Sequence, residues 1–184
     1  MTIAERLLRH DAWTTRSLLT LSADLPDTAL DRDFDIGHRT LRRTFAHIVG
    51  NMECWCDLMT AQPQRSNAHI PAPLNSIAAL TGRLDVVAAQ LIDLGNRVEG
   101  ANRQDEYFVD YLDCPPTKKP LGAGLVHVAT HGMHHRAQCR YMMRRLGVDG
   151  LPEGDAISWE RHHLGLAAWP ASEGLTSSFR RPSP

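Results

Sequence analysis

The sequence predicts an all-α fold, a four-helix bundle followed by a short fifth helix. Three observations point there: four long segments with apolar residues at helical spacing, the short polar or Pro-bearing breaks between them, and no sustained alternating pattern of the kind a sheet needs. The first segment is TIAERLLRHDAWTTRSLLTLSA, about Thr2 to Ala23, stopped by DLPD. The second follows DIGH, with Thr40 as N-cap, and runs through LRRTFAHIVGNMECWCDLM to about Ala61. A loop, QPQRSNAHIPAPLN, leads to Asn75 or Ser76 as the next cap. The third segment, SIAALTGRLDVVAAQLIDLGNRVEG, ends near Gly100, and the fourth runs from about Leu121 to Leu146 with Gly147 as its stop.

Between the third and fourth segments lies DEYFVDYLDCPPTKKP, a short strand or an extended loop; periodicity does not decide which. A further short helix starts near Asp155, and PASEGLTSSFRRPSP closes the chain as a polar tail expected to be mobile. The expected division is therefore a bundle over residues 1–152 and an appendage over 153–184. There is no internal repeat.

Composition narrows the function. The chain has 184 residues, 42% of them hydrophobic, enough for one domain with a real core. Twenty Lys plus Arg against 21 Asp plus Glu leave a formal charge of −1, without the basic surplus a nucleic-acid binder needs. No apolar run approaches the ~18 residues of a membrane span, and MTIAERLLRHDAW has no signal-peptide core. Four cysteines (Cys54, Cys56, Cys114, Cys139) are too few for a disulfide scaffold, so a cytoplasmic protein with reduced thiols is expected.

The run HVATHGMHHRAQ places four of the ten histidines within nine residues, His127 to His135. At 100° per residue, Leu125, Val128, Gly132, Cys139, Met142, Met143 and Leu146 form one apolar stripe. His135 falls about 30° and His131 roughly 70° from its centre, with His127 and His134 more than about 100° away. Two imidazoles at i and i+4 can chelate one ion. The spacing alone is weak, since ten histidines give about half such a pair by chance. Its placement on an apolar face adds weight, because an unpaired imidazole there is costly. Gly132 costs helix stability, and close packing beside a ligand would explain it. A third ligand must come from another helix; by residue pattern His47 and His10 are both open.

The remaining candidates are weaker. Glu53 and Asp57 are expected to point outward. Gln138 could bond a ligand on the metal or simply be solvated. Arg136, Arg140 and Arg144 form an i,i+4 ladder that reads as a solvated edge, or as a clamp for carboxylates. Cys54 and Cys56 diverge by about 200° and cannot share an ion. Cys54, seven residues after His47, and Cys139, four after His135, read as core residues with thiols near the site. His69, His162 and His163 read as surface.

HDAWTTRSLLTL, TLRRTFAHIVGNMECW and LVHVATHGMHHRAQ, closed by RRLGVDGLP, resemble the DinB/YfiT-like family of small metal-binding helical proteins, over about Thr2 to Pro152. The resemblance implies an up-down-down-up four-helix bundle, often a homodimer. It also implies a zinc or nickel ion held by one histidine of the second segment and two of the fourth, which fall here on His47, His131 and His135. Relatives include thiol-dependent S-transferases using bacillithiol and maleylpyruvate isomerases using mycothiol. The implied function is thus a metal-dependent enzyme acting on a small molecule, with a low-molecular-weight thiol as co-substrate. A water-activating hydrolase and a non-catalytic metal-binding or dimerisation module are the alternatives. Gly132 stands where an H-E-x-x-H peptidase would carry glutamate, which speaks against that chemistry.

Overall fold

The computed structural model describes residues 1–65 and 75–166. It is mostly helical, with α1 (Ile3–Leu21), α2 (Asp27–Leu30), α3 (Leu41–Met59), α4 (Ile77–Gly100), α5 (Leu121–Arg145) and α6 (Ala156–His163) among those residues, and strands β1 (Tyr107–Asp110) and β2 (Thr117–Pro120). The expected caps are present. Thr2, Thr40 and Ser76 each accept from the backbone N–H three residues on, and the Asp155 side chain accepts from Ile157 and Ser158. Gly147, at φ +79°, ends α5 in the left-handed region that glycine adopts without strain. The one helix not expected is the single turn of α2.

The segment with two readings forms a hairpin. Tyr107 pairs with Pro120 and Asp110 with Thr117 in antiparallel register. Phe108 and Asp110 turn inward, and Lys119 ties Asp110 (2.6 Å) to Asp113 (3.0 Å).

α1 packs on α4 and α5, and α3 packs on the same two helices. Their apolar stripes meet in one core, with Leu18, Leu19, Phe45, Ile48, Met52, Leu80, Leu84, Leu91, Met142 and Met143 fully buried. α6 lies against α1 through Trp159, which is buried. His69 and the tail from residue 167 onward lie outside the described residues.

Two expectations fail on the far side of α3. Glu53 and Asp57 do not point outward: both are buried, Glu53 held by Arg83 of α4 (3.0 and 2.5 Å) and Asp57 by Arg65 (2.6 Å). Their face is off the main apolar stripe, but α4 and the chain after α3 cover it. The arginine ladder also divides. Arg136 is buried and ion-paired with Asp11 of α1, Arg140 bonds the Glu153 carbonyl, and only Arg144 is exposed.

Candidate metal centre

Among the described residues, five imidazoles converge where α3, α5 and the loop before α3 meet. His47 is carried by α3, and His127, His131 and His135 by α5; His38 belongs to the loop between α2 and α3. His135 is buried, the other four half-buried, and His134 is exposed. This is the order around α5 that the apolar stripe predicts.

Ring centres lie 4.5 Å apart for His131–His135 and His47–His135, 5.0 Å for His47–His131 and 3.9 Å for His38–His47. One ring nitrogen each from His38, His47 and His135 fall within 4.8 Å of one another, positioned to hold a divalent ion. His131 joins the cluster through His47: their Nε2 atoms are 3.3 Å apart. Two nitrogens bound at the usual distances to one tetrahedral ion stand about 3.3–3.4 Å apart. His131 Nδ1 is buried without a hydrogen-bond partner. The contact with His47 is thus the polar contact that the His131 ring makes, and a donor set of imidazoles fits a borderline-soft divalent ion.

The cluster is neutral at pH 7. Burial first, and the neighbouring imidazoles second, together lower the pKa of His47 and of His131 to about 4. His38, His127 and His135 are pushed down by the same desolvation. Neutral rings present lone pairs, as ligation requires.

Gln138 sets the tautomer of His135. Its Oε1 accepts from His135 Nδ1–H at 3.0 Å, and its amide nitrogen donates to His134 Nε2 at 3.1 Å. His135 Nε2 is left bare. On the rim, Trp55 packs against His127 with ring centres 4.4 Å apart and planes tilted by 42°, and Lys119 of β2 sits 5.4 Å from the centre of the same indole.

Other candidates take their places elsewhere. His10 bonds the Gly154 carbonyl at 2.9 Å and meets Trp159 edge-on, so it serves the α1–α6 contact. His162 packs on Trp13 and His163 on Trp159 while both stay exposed. Cys139 is in the core, where burial pushes its thiol up, and the half-buried Cys54 shifts the same way. The reason for Gly132 is also different from the one expected. A Cβ there would meet Asp11 Oδ1 at 2.6 Å and Arg136 Nη1 at 2.7 Å, so the glycine makes room for a buried ion pair, not for a ligand. Sequence reasoning missed His38. It has no helical period to betray it; the only signal is a glycine–histidine pair just ahead of the Thr40 cap.

The chain is thus a mostly helical protein with clustered histidines, three of them positioned to hold a metal ion, between two long helices and a loop. The DinB family model matches residues 1–154, and the chain belongs to the DinB family. A crystal structure of a DinB-like protein from Bacillus cereus is similar in fold, with a TM-score of 0.60 and 20% sequence identity, covering 78% of this chain and 90% of that one. No curated protein matches. Among the described residues, no helix is long and apolar enough to cross a membrane.

Proposed function

We propose that the chain is a divalent-metal-dependent enzyme whose ion is held by His47, His131 and His135. The observation that carries this reading is the convergence of neutral imidazole nitrogens from α3 and α5, with the His47 and His131 Nε2 atoms 3.3 Å apart. The chemistry is of the thiol S-transferase type: a low-molecular-weight thiol attacks a small electrophile. A bound zinc or nickel ion supplies Lewis acidity, which makes a thiolate of a thiol that reaches it.

The chain's own residues do the rest. Desolvation keeps His47 and His131 unprotonated, and Gln138 holds His135 with its Nε2 bare. The half-buried rings leave an approach from solution past Trp55 and Lys119. Glu53 and Asp57 are occupied by Arg83 and Arg65, so no base is drawn from α3.

On the same reading the long helices form an up-down-down-up bundle over residues 1–152, with 153–184 as an appendage beginning at α6. On that reading too, the chain works as a homodimer in the cytoplasm. The test is elemental mass spectrometry on untagged protein beside a His131→Ala, His135→Ala double variant. About one ion per chain, lost in the variant, is expected; a parent that stays empty after incubation with zinc and nickel would end the reading.

A further inference from the structure

His38 is the one imidazole of the metal-positioned group of three that no helix carries. Its ring centre lies 3.9 Å from that of His47 and 5.2 Å from that of His135, so it reaches the cluster from the connection before α3 and not from either helix. We propose that His38 is a fourth, exchangeable ligand of the ion held by His47, His131 and His135, occupying the position at which an anionic donor from solution enters. This rests on the metal reading above.

Two features of the loop support it. First, the loop is shaped around His38 without using the ring. Phe34 is buried and its N–H donates to the Arg39 carbonyl at 2.7 Å; the Arg39 N–H donates to the Ile36 carbonyl at 2.9 Å; and the Arg39 side chain is ion-paired with Asp33. The ring is thus presented to the cluster by a closed turn. Second, the turn is fitted to the same amide that orients His135. Gly37 has φ +49°, and a Cβ there would overlap Gln138 Oε1, which accepts from His135 Nδ1. Only glycine satisfies both the backbone and the space. One side chain, Gln138, therefore sets His135 and seats the turn that carries His38.

The difference in anchorage decides which ligand yields. His47, His131 and His135 are fixed by α3 and α5, and moving any of them means moving a packed helix. His38 is half-buried on a connection and can swing away at the cost of its ring contacts with His47 and His135. Four imidazoles would close the coordination sphere, and departure of one would open it. A tethered ligand competes with dissolved ones at an effective concentration in the millimolar range or above. Removing His38 should therefore tighten the binding of a small anion at least about tenfold.

The experiment uses untagged, full-length chain loaded with cobalt(II), as the parent and as His38→Ala and His38→Asn variants. X-ray absorption counts the imidazoles on the ion, and visible absorption follows titration with azide. Expected are one more imidazole in the parent than in either variant and azide binding at least about tenfold tighter in both variants, with cobalt still bound. Equal imidazole counts and equal azide affinities would overturn the role of His38 while leaving the three-histidine site intact. A parent that takes up no cobalt would overturn the site itself. If both variants lose their helical circular-dichroism signal, the imidazole count of the parent decides: four supports the proposal, and three overturns it.

Discussion

Replacing Gly132 by alanine should destabilise the protein, although alanine is the better helix former. Position 132 lies in the middle of α5, where the exchange by itself would gain about 1 kcal/mol. The new methyl would stand 2.6 Å from Asp11 Oδ1, 2.7 Å from Arg136 Nη1 and 3.4 Å from Asp11 Cγ. The first two atoms are the ends of side chains, but they are not free to withdraw. Asp11 is 0% and Arg136 3% exposed, each is the other's counter-ion, and Arg136 Nη1 also reaches the Thr15 hydroxyl at 3.3 Å. Making room means parting a buried ion pair, which costs about 3–5 kcal/mol when a partner is removed outright. Subtracting the helix gain leaves about 2–4 kcal/mol. At about 2–4 °C per kcal/mol for a chain of this size, the melting temperature should fall roughly 4–16 °C in a thermal scan of the metal-free protein. A Gly132→Ala variant that melts higher than the parent would show that the pair relaxes without cost and that the glycine has some other reason.

Metal-free protein should lose stability as the medium turns acid. His47 and His131 titrate at about 4 in the folded state against about 6.5 unfolded, so the unfolded chain binds more protons in between; their contribution is complete above about pH 6.5 and disappears as pH falls toward 4. The urea midpoint should drop between pH 7.5 and 4.5, and less steeply in a His47→Gln, His131→Gln variant; identical slopes would acquit the histidines. Gln138→Leu should weaken zinc binding about 10–100-fold in chelator competition, because His135 loses the acceptor that fixes its tautomer. An unchanged affinity would leave Gln138 a loop contact only. Zinc at about a hundred times its dissociation constant should add about 2.7 kcal/mol of stability, and no rise in melting temperature on saturation would mean that the ion binds the unfolded chain as well.

The helices were legible because each carries its own punctuation: Thr40, Ser76 and Asp155 cap with a side-chain oxygen, and Gly147 stops α5. The hairpin was not, since four-residue strands are too short for alternation to be told from chance, and what joins them is pairing at a distance in sequence. The orientation of the α5 histidines followed from the 3.6-residue period alone. That period describes one helix against one core and has no knowledge of a second neighbour. Glu53 and Asp57 were misplaced for this reason, because α4 and residue 65 cover a face that the wheel of α3 leaves outside. Arg136 was misjudged likewise, its partner Asp11 lying 125 residues away. His38 marks the same boundary: a loop residue acquires meaning only from what the fold sets opposite it.

Packing five imidazoles together is poor design for stability alone. Each ring carries two polar nitrogens, and burying one without a partner costs about 1–3 kcal/mol. The cluster supplies few partners from outside itself: Gln138 serves His135, His47 and His131 share one contact, and His131 Nδ1 has none. Aliphatic side chains at 47 and 131 would bury equal area without that cost. Protonation would not relieve it, since neighbouring rings and desolvation both resist a charge. On the proposed function, what would relieve it is a cation that is not a proton, one that accepts several lone pairs at once and carries its charge at the point where they converge. Asp11 and Arg136, by contrast, solve their burial by pairing, and the structure makes room for them with a glycine. The two buried polar groups thus differ in kind: Asp11 and Arg136 carry opposite charges and neutralise each other between α1 and α5, although Asp11 Oδ2 has no hydrogen-bond partner, whereas the neutral histidines have only lone pairs to offer one another.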